Sequence, residues 1–105
     1  MIIRGTTPTE TLTINGRDLS DAKVYVTYQQ GDVAFTLEGD EVKKTVSDGN
    51  TVLSVALTQK DTLSLAPGAV LVQIGWITAD GGADKTVIES DTVLDTLYNK
   101  EMSYD

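Results

Sequence analysis

The chain contains neither cysteine nor histidine. Without cysteine there is no disulfide framework and no thiolate metal site. Without histidine there is no Ser–His–Asp or Cys–His catalysis, no ordinary zinc centre and no imidazole acid–base work. Basic residues are also few: eight Lys and Arg against sixteen Asp and Glu, a formal net charge of −8. They are scattered, with only Lys43 and Lys44 adjacent. A phosphate backbone or an anionic membrane surface therefore finds no basic cluster, and no nucleic-acid or membrane partner is expected. Long apolar runs are missing too. The longest unbroken one is four residues, Ala69 to Val72, too short to span a bilayer. Met1-Ile2-Ile3-Arg4-Gly5 lacks the basic region and apolar stretch of a secretory signal, so cytoplasmic synthesis without oxidative folding is expected.

What is present points to strands. At 105 residues, 40% of them hydrophobic, the chain is one domain with enough apolar side chain for one core, and threonine stands at 15 positions. The stretch from Ala66 to Thr78 organises the rest. Pro67 and Gly68 form a turn that launches a strand. Beyond it Val70, Val72, Ile74 and Trp76 share one wholly apolar face; Leu71, Gln73, Gly75 and Ile77 share the other. At about nine residues this strand exceeds the usual five or six. Its length and its apolar face place it in the middle of a sheet, with the only tryptophan on the core.

The other segments alternate likewise. Ile2 to Thr6 reads as a short first strand, and Thr11-Leu12-Thr13-Ile14 as a second before the Asn15-Gly16 turn. After a polar connection in which Leu19 plugs the end of the core come two partner strands. Lys23 to Gln29 points Val24, Val26 and Tyr28 inward, and Val33 to Glu38 points Val33, Phe35 and Leu37 inward. Val42 to Val46 is a short strand whose Lys43 and Lys44 suit a sheet edge. Thr51 to Leu57 buries Leu53, Val55 and Leu57. Thr58 with Asp61 three residues later is an N-cap pattern, so one helical turn is predicted near 58–63 with Leu63 and Leu65 beneath it. After the hairpin loop Asp80-Gly81-Gly82-Ala83-Asp84, Thr86 to Val93 reads as a single last strand paired with the central one.

About seven short antiparallel strands separated by turn signals predict an all-β, immunoglobulin-like β-sandwich over residues 1–93. The strand, capped turn, long strand, hairpin and last strand resemble the corresponding run of immunoglobulin-like domains, without the cysteine pair or tyrosine corner of antibody domains. Residues 94–105 form a C-terminal tail. Its Leu94, Leu97, Tyr98 and Met102 have a helix-like spacing, although Asp95, Thr96 and Asn99 are weak helix formers.

Plain structural roles account for most of the candidate sites. Glu38, Asp40 and Glu41 gather at a turn and read as a solvated acidic corner rather than half of a glycosidase pair. Asp80 and Asp84 supply fewer oxygens than calcium requires and fail the EF-hand spacing. Tyr25, Tyr28 and Trp76 would make a sugar-stacking platform only if exposed together, and two of them lie on the core face. The tail is different. Leu94, Leu97, Tyr98, Met102 and Tyr104 have little chain after them to bury them. They either fold back over an open end or dock on a partner. They are the candidate contact residues; no catalytic, cofactor or metal ligand is assigned, and no cofactor is expected.

Four blocks carry a family resemblance: Met1 to Thr9 (MIIRGTTPT), Asp21 to Tyr28 (DAKVYVTY), Leu57 to Gly68 (LTQKDTLSLAPG) and Val72 to Trp76 (VQIGW). In this order they resemble small proteins encoded among tail genes in prophages of Gram-positive bacteria, and the N-terminal β-sandwich of phage baseplate upper proteins. The resemblance covers most of the chain to Val93. It implies a non-catalytic structural or assembly module, associated with the virion. Its partners would be other tail or baseplate proteins, with a homo-oligomer among the options. The longer relatives continue into a helical stalk and receptor-binding parts that this sequence does not contain. A carbohydrate-binding β-sandwich is the alternative, and it requires at least two exposed aromatics on one sheet face.

Overall fold

The computed structural model of the chain describes residues 1–86 and 88–104. Among them the elements run β1 (Ile2–Ile3), β2 (Thr9–Ile14), β3 (Lys23–Gln30), β4 (Val33–Glu38), β5 (Val42–Ser47), β6 (Asn50–Ala56), α1 (Gln59–Leu63), β7 (Gly68–Ile77), β8 (Ala83–Lys85) and β9 (Glu89–Leu94). The fold is all-β. A larger sheet has the order β1-β9-β7-β3-β4, with β8 also on β7, and a smaller one the order β2-β6-β5. As its length and apolar face imply, β7 is the middle strand of the larger sheet.

Two-residue turns set the local register. In the β5–β6 hairpin Ser47 pairs with Asn50, and the two residues between, Asp48 and Gly49, have φ of 53° and 77°. Positive φ at both central positions is the type I′ requirement, whose twist matches that of the strands it joins. With register fixed, the alternation buries Val24, Val26 and Tyr28 of β3, Val70, Ile74 and Trp76 of β7, and Thr51, Leu53 and Val55 of β6. Apart from Thr51 these side chains belong to one hydrophobic cluster drawn from both sheets. Full burial of a residue such as Leu53 contributes about 1.5–3 kcal/mol. Val33, Phe35 and Val72 pack on the cluster only in part. Phe35 stacks on Tyr28, with ring centroids 5.3 Å apart and planes 19° apart.

The ends are closed by side chains that bond to backbone. At one, α1 carries the expected capping box: Asp61 N donates to Thr58 Oγ1 at 3.1 Å, and Thr58 N donates to Asp61 Oδ2 at 3.0 Å. Leu65 is buried and Leu63 half-buried. The hydroxyl of buried Thr62 accepts from Gly5 N at 3.0 Å and donates to Thr6 O at 2.9 Å, fastening the N-terminal segment to the helical turn. Arg4 donates to Leu65 O at 2.6 Å and to Asp95 Oδ1 at 3.0 Å. At the other end Leu19 is buried as expected. Its connection is held by Thr51, whose hydroxyl accepts from Leu19 N at 2.9 Å and donates to Arg17 O at 2.8 Å. Lys44 also holds it, donating to Leu19 O at 3.0 Å and to Ala22 O.

Several expectations require correction. The described residues form nine strands rather than about seven, and not all pairs are antiparallel, because β1 runs parallel to β9 (Ile2 with Val93, Ile3 with Leu94). The expected last strand, Thr86 to Val93, starts only at Glu89 as β9, while Ala83 and Asp84, expected in the hairpin loop, form a separate short strand β8 with Lys85; both strands pair with β7, with a break between them. At the break, Thr86 bonds to Ile74 twice, N to O at 2.8 Å and Oγ1 from N at 3.1 Å, so the regular ladder is interrupted there. Val87 of that stretch lies outside the described residues. Leu94, placed with the tail from sequence, ends β9. Beyond it the described tail contains no helix. Asp95 instead accepts from Thr96 N at 2.8 Å and from Arg4, side-chain bonds that compete with a helical turn. Lys43 and Lys44 do lie on an edge strand, β5, but Lys44 is turned to the connection it ties.

Candidate functional site

The five tail positions do not form one cluster. Leu94 belongs to the sheet and is 40% exposed; Leu97 and Tyr104 are fully exposed, and Tyr98 and Met102 more than half so. The tail is nevertheless tethered. Gln59 of α1 clasps the backbone of Met102, donating to its O at 3.0 Å and accepting from its N at 2.7 Å. It therefore folds back along α1, yet presents its apolar side chains to solvent instead of capping the core. From Tyr98 onward Tyr98, Met102 and Tyr104 fall on one parity, the alternation of a strand rather than of a helix.

The other sequence candidates resolve into structural roles. Asp40 and Glu41 lie in an exposed single turn of 3-10 helix beside Glu38. Among the described residues no three carboxylates, or other ligating groups, come together as a metal cluster. Asp80 accepts from Thr78 Oγ1 and from Gly82 N at 3.0 Å, which holds its carboxyl below the usual carboxylate range. Asp84 turns instead to Arg17 at 3.2 Å. The two carboxylates serve a turn and an ion pair. Tyr28 and Trp76 are buried, Arg17 lying over the indole at 5.8 Å. Tyr25 alone faces outward.

Two features had no signal strong enough to single them out in the sequence. The first is a carboxyl pair at the mouth between the sheets. Glu10 of β2 and Asp91 of β9 meet beside a cleft of ≈ 320 Å³, with Tyr28 on its wall. Burial, and then the hydrogen bond shared with Asp91, raises the pKa of Glu10 above the ordinary glutamate value, so the pair holds a proton more firmly than a free carboxyl. Glu10 Oε1 is buried with no hydrogen-bond partner. Burial pushes Asp91 the same way, but hydrogen bonds from the Met1 ammonium (2.6 Å), Thr92 N and Glu10 outweigh it and keep Asp91 below the ordinary aspartate value. The Tyr28 hydroxyl is shifted upward by burial and by these two acids, so it stays protonated.

The second feature is the outer face of the larger sheet. Register sets its rows across β7, β3 and β4: Leu71–Gln29–Ala34, Gln73–Thr27–Thr36 and Gly75–Tyr25–Glu38. Lys85 of β8 continues the last row beyond Gly75. Leu71, Ile77, Ile88, Ile3 and Leu94 are each between 39% and 59% exposed. A shallow groove of ≈ 620 Å³ runs past Tyr25, Gln73, Gly75, Ile77 and Lys85. Gly75 adds no side chain to its floor, and the Lys85 chain passes over it, Cγ lying 3.4 Å from where a Cβ would stand.

No helix among the described residues is long and apolar enough to cross a membrane. Compared with protein-family models, with curated proteins and with solved structures, the chain matches none.

Proposed function

We propose that the chain is a non-catalytic structural or assembly module that works through protein contacts, in a phage tail or baseplate as its sequence blocks suggest. The observation that carries this reading is the tail. Leu97 and Tyr104 are as exposed as side chains can be (105% and 106%), and Tyr98 and Met102 are more than half exposed, in a strongly acidic chain. Large apolar residues left this exposed are costly in water and gain most from a partner surface.

An immunoglobulin-like sandwich is the architecture that goes with it. The strand order supports this finer reading: β2-β6-β5 corresponds to the B-E-D strands of such domains, and β9-β7-β3-β4 to G-F-C with an added C′. A host-surface carbohydrate module is the second reading, favoured by the groove beside Tyr25 with its Thr27 and Gln73 amide and hydroxyl groups. It is the weaker of the two, because one outward aromatic does not make a stacking platform.

The test is to tag the chain, induce the phage in its host and identify by mass spectrometry what co-purifies, with and without residues 95–105. Truncation after Leu94 preserves the pairing of Leu94 with Ile3. Tail or baseplate proteins recovered by the intact chain and lost on truncation are the expected result. If neither form brings down a phage protein, the module reading is wrong, and binding of sugars to the Tyr25 groove becomes the idea to measure.

A further inference from the structure

The outer face of the larger sheet is poor in carboxylate for so acidic a chain. Of the sixteen Asp and Glu residues, strand register places only Glu38 on it. One row is also antisymmetric in charge and shape. Reading across β8, β7, β3 and β4 it runs Lys85, Gly75, Tyr25, Glu38: a cation, a bare glycine, a ring and an anion.

We propose that two copies of the chain pair through this face, about a two-fold axis parallel to the strands and lying between β7 and β3. Such an axis lays each row on its own reverse, as an isologous interface requires. Lys85 of each copy then meets Glu38 of the other, and Tyr25 packs against the aliphatic part of the Lys85 chain where it passes over Gly75. Ile88, which borders a hollow with Leu71, Gln73, Thr27 and Gln29 on the β9 side of β7, comes over Ala34 and Thr36 on the opposite flank. A large side chain thus faces two small ones. No second carboxylate of the strands is brought against Glu38; Asp40 and Glu41 follow it in an exposed turn at the rim of the contact. Sheets stacked in this way lie about 10 Å apart with strands aligned within about 30°. Four strands about 4.8 Å apart and up to ten residues long offer roughly 600 Å² per copy. This is the lower end of what a specific pair buries, so a reversible, concentration-dependent dimer is expected rather than a permanent one.

Sedimentation equilibrium from micromolar to millimolar concentration reads this directly. The intact chain should move from monomer to dimer. Lys85→Glu or Glu38→Lys alone sets like charges together at two symmetry-related contacts and should raise the dissociation constant about tenfold. The double reversal restores both contacts and should bring it back to within about threefold of the starting value. Circular dichroism confirms that each variant is folded. Thr27→Cys adds a measurement that needs no change of charge: in a chain with no other cysteine it sets one thiol beside the axis of each copy, and a short bis-maleimide should link them. A chain that stays monomeric throughout, a double reversal that fails to restore pairing, or thiols that do not link would each overturn the proposal. The pairing rests on the contact-module reading for its purpose, but the two fail separately. Removing residues 95–105 should leave the dimer intact, and the face variants should still capture whatever the tail binds.

Discussion

Glu10 lies on the inward parity of β2 with Leu12 and Ile14, a carboxyl on the face that alternation turns to the core, and the sequence alone gives it no partner there. Its consequence comes from Asp91, which lies 81 positions away and reaches the same cleft from the other sheet. Because the folded state raises the proton affinity of Glu10, folding favours its protonated form. Ionising it costs stability, starting as pH rises through the ordinary glutamate value and complete above the raised folded value. Asp91, held low, contributes in the opposite sense: its share is present at neutral pH and lost as pH falls through its depressed value. Glu10→Gln keeps a donor toward Asp91 and removes the charge. It should stabilise the chain at neutral pH by up to about 1 kcal/mol, the most a solvent-screened carboxyl contact is worth. The gain should vanish at a pH below the glutamate value; urea titrations at the two pH values measure it. The same blindness applies to Thr62 and Lys44. Threonine in a short helix and lysine on an edge strand both read as surface, and both turn inward to bind backbone atoms of distant segments.

Among the elements, α1 was the most legible. Thr58 and Asp61 have the capping-box spacing, and both reciprocal bonds form. A five-residue helix cannot persist on propensity. It is held by that cap, by Leu65 beneath it and by Thr62, which ties it to Gly5 and Thr6. Thr58→Ala should therefore cost about 1 kcal/mol, seen as a lower urea midpoint with an unchanged slope. The strands were legible where alternation was uninterrupted: β3, β4, β6 and β7 keep the inward residues that their period of two assigns. The last strand and the tail depart from their hydrophobic spacing for one reason. At Thr86 and again at Asp95 a side chain bonds to nearby or facing backbone and breaks a regular element, and such bonds leave no trace in hydrophobic periodicity.

The two sheets share a single core, so loss of one central side chain should be felt by all of it. Leu53 is fully buried on β6, the middle strand of the smaller sheet. Leu53→Ala should cost about 2–5 kcal/mol. The loss should appear as one transition, at one midpoint, in both tryptophan fluorescence from Trp76 on the opposite sheet and far-ultraviolet circular dichroism. Two separate midpoints would show that the sheets unfold independently. Read without coordinates, the chain already specifies an all-β fold, the central strand and its core face, the capped turn and the lack of cysteine and histidine chemistry. These depend on residue type and on short-range periodicity, which are local. Only the tertiary structure decides that β1 joins β9 in parallel, that Glu10 meets Asp91, and that Lys85, Gly75, Tyr25 and Glu38 form one row. Each of these joins residues from separate strands, and strand partnership depends on which edges and ends remain free once the core has closed.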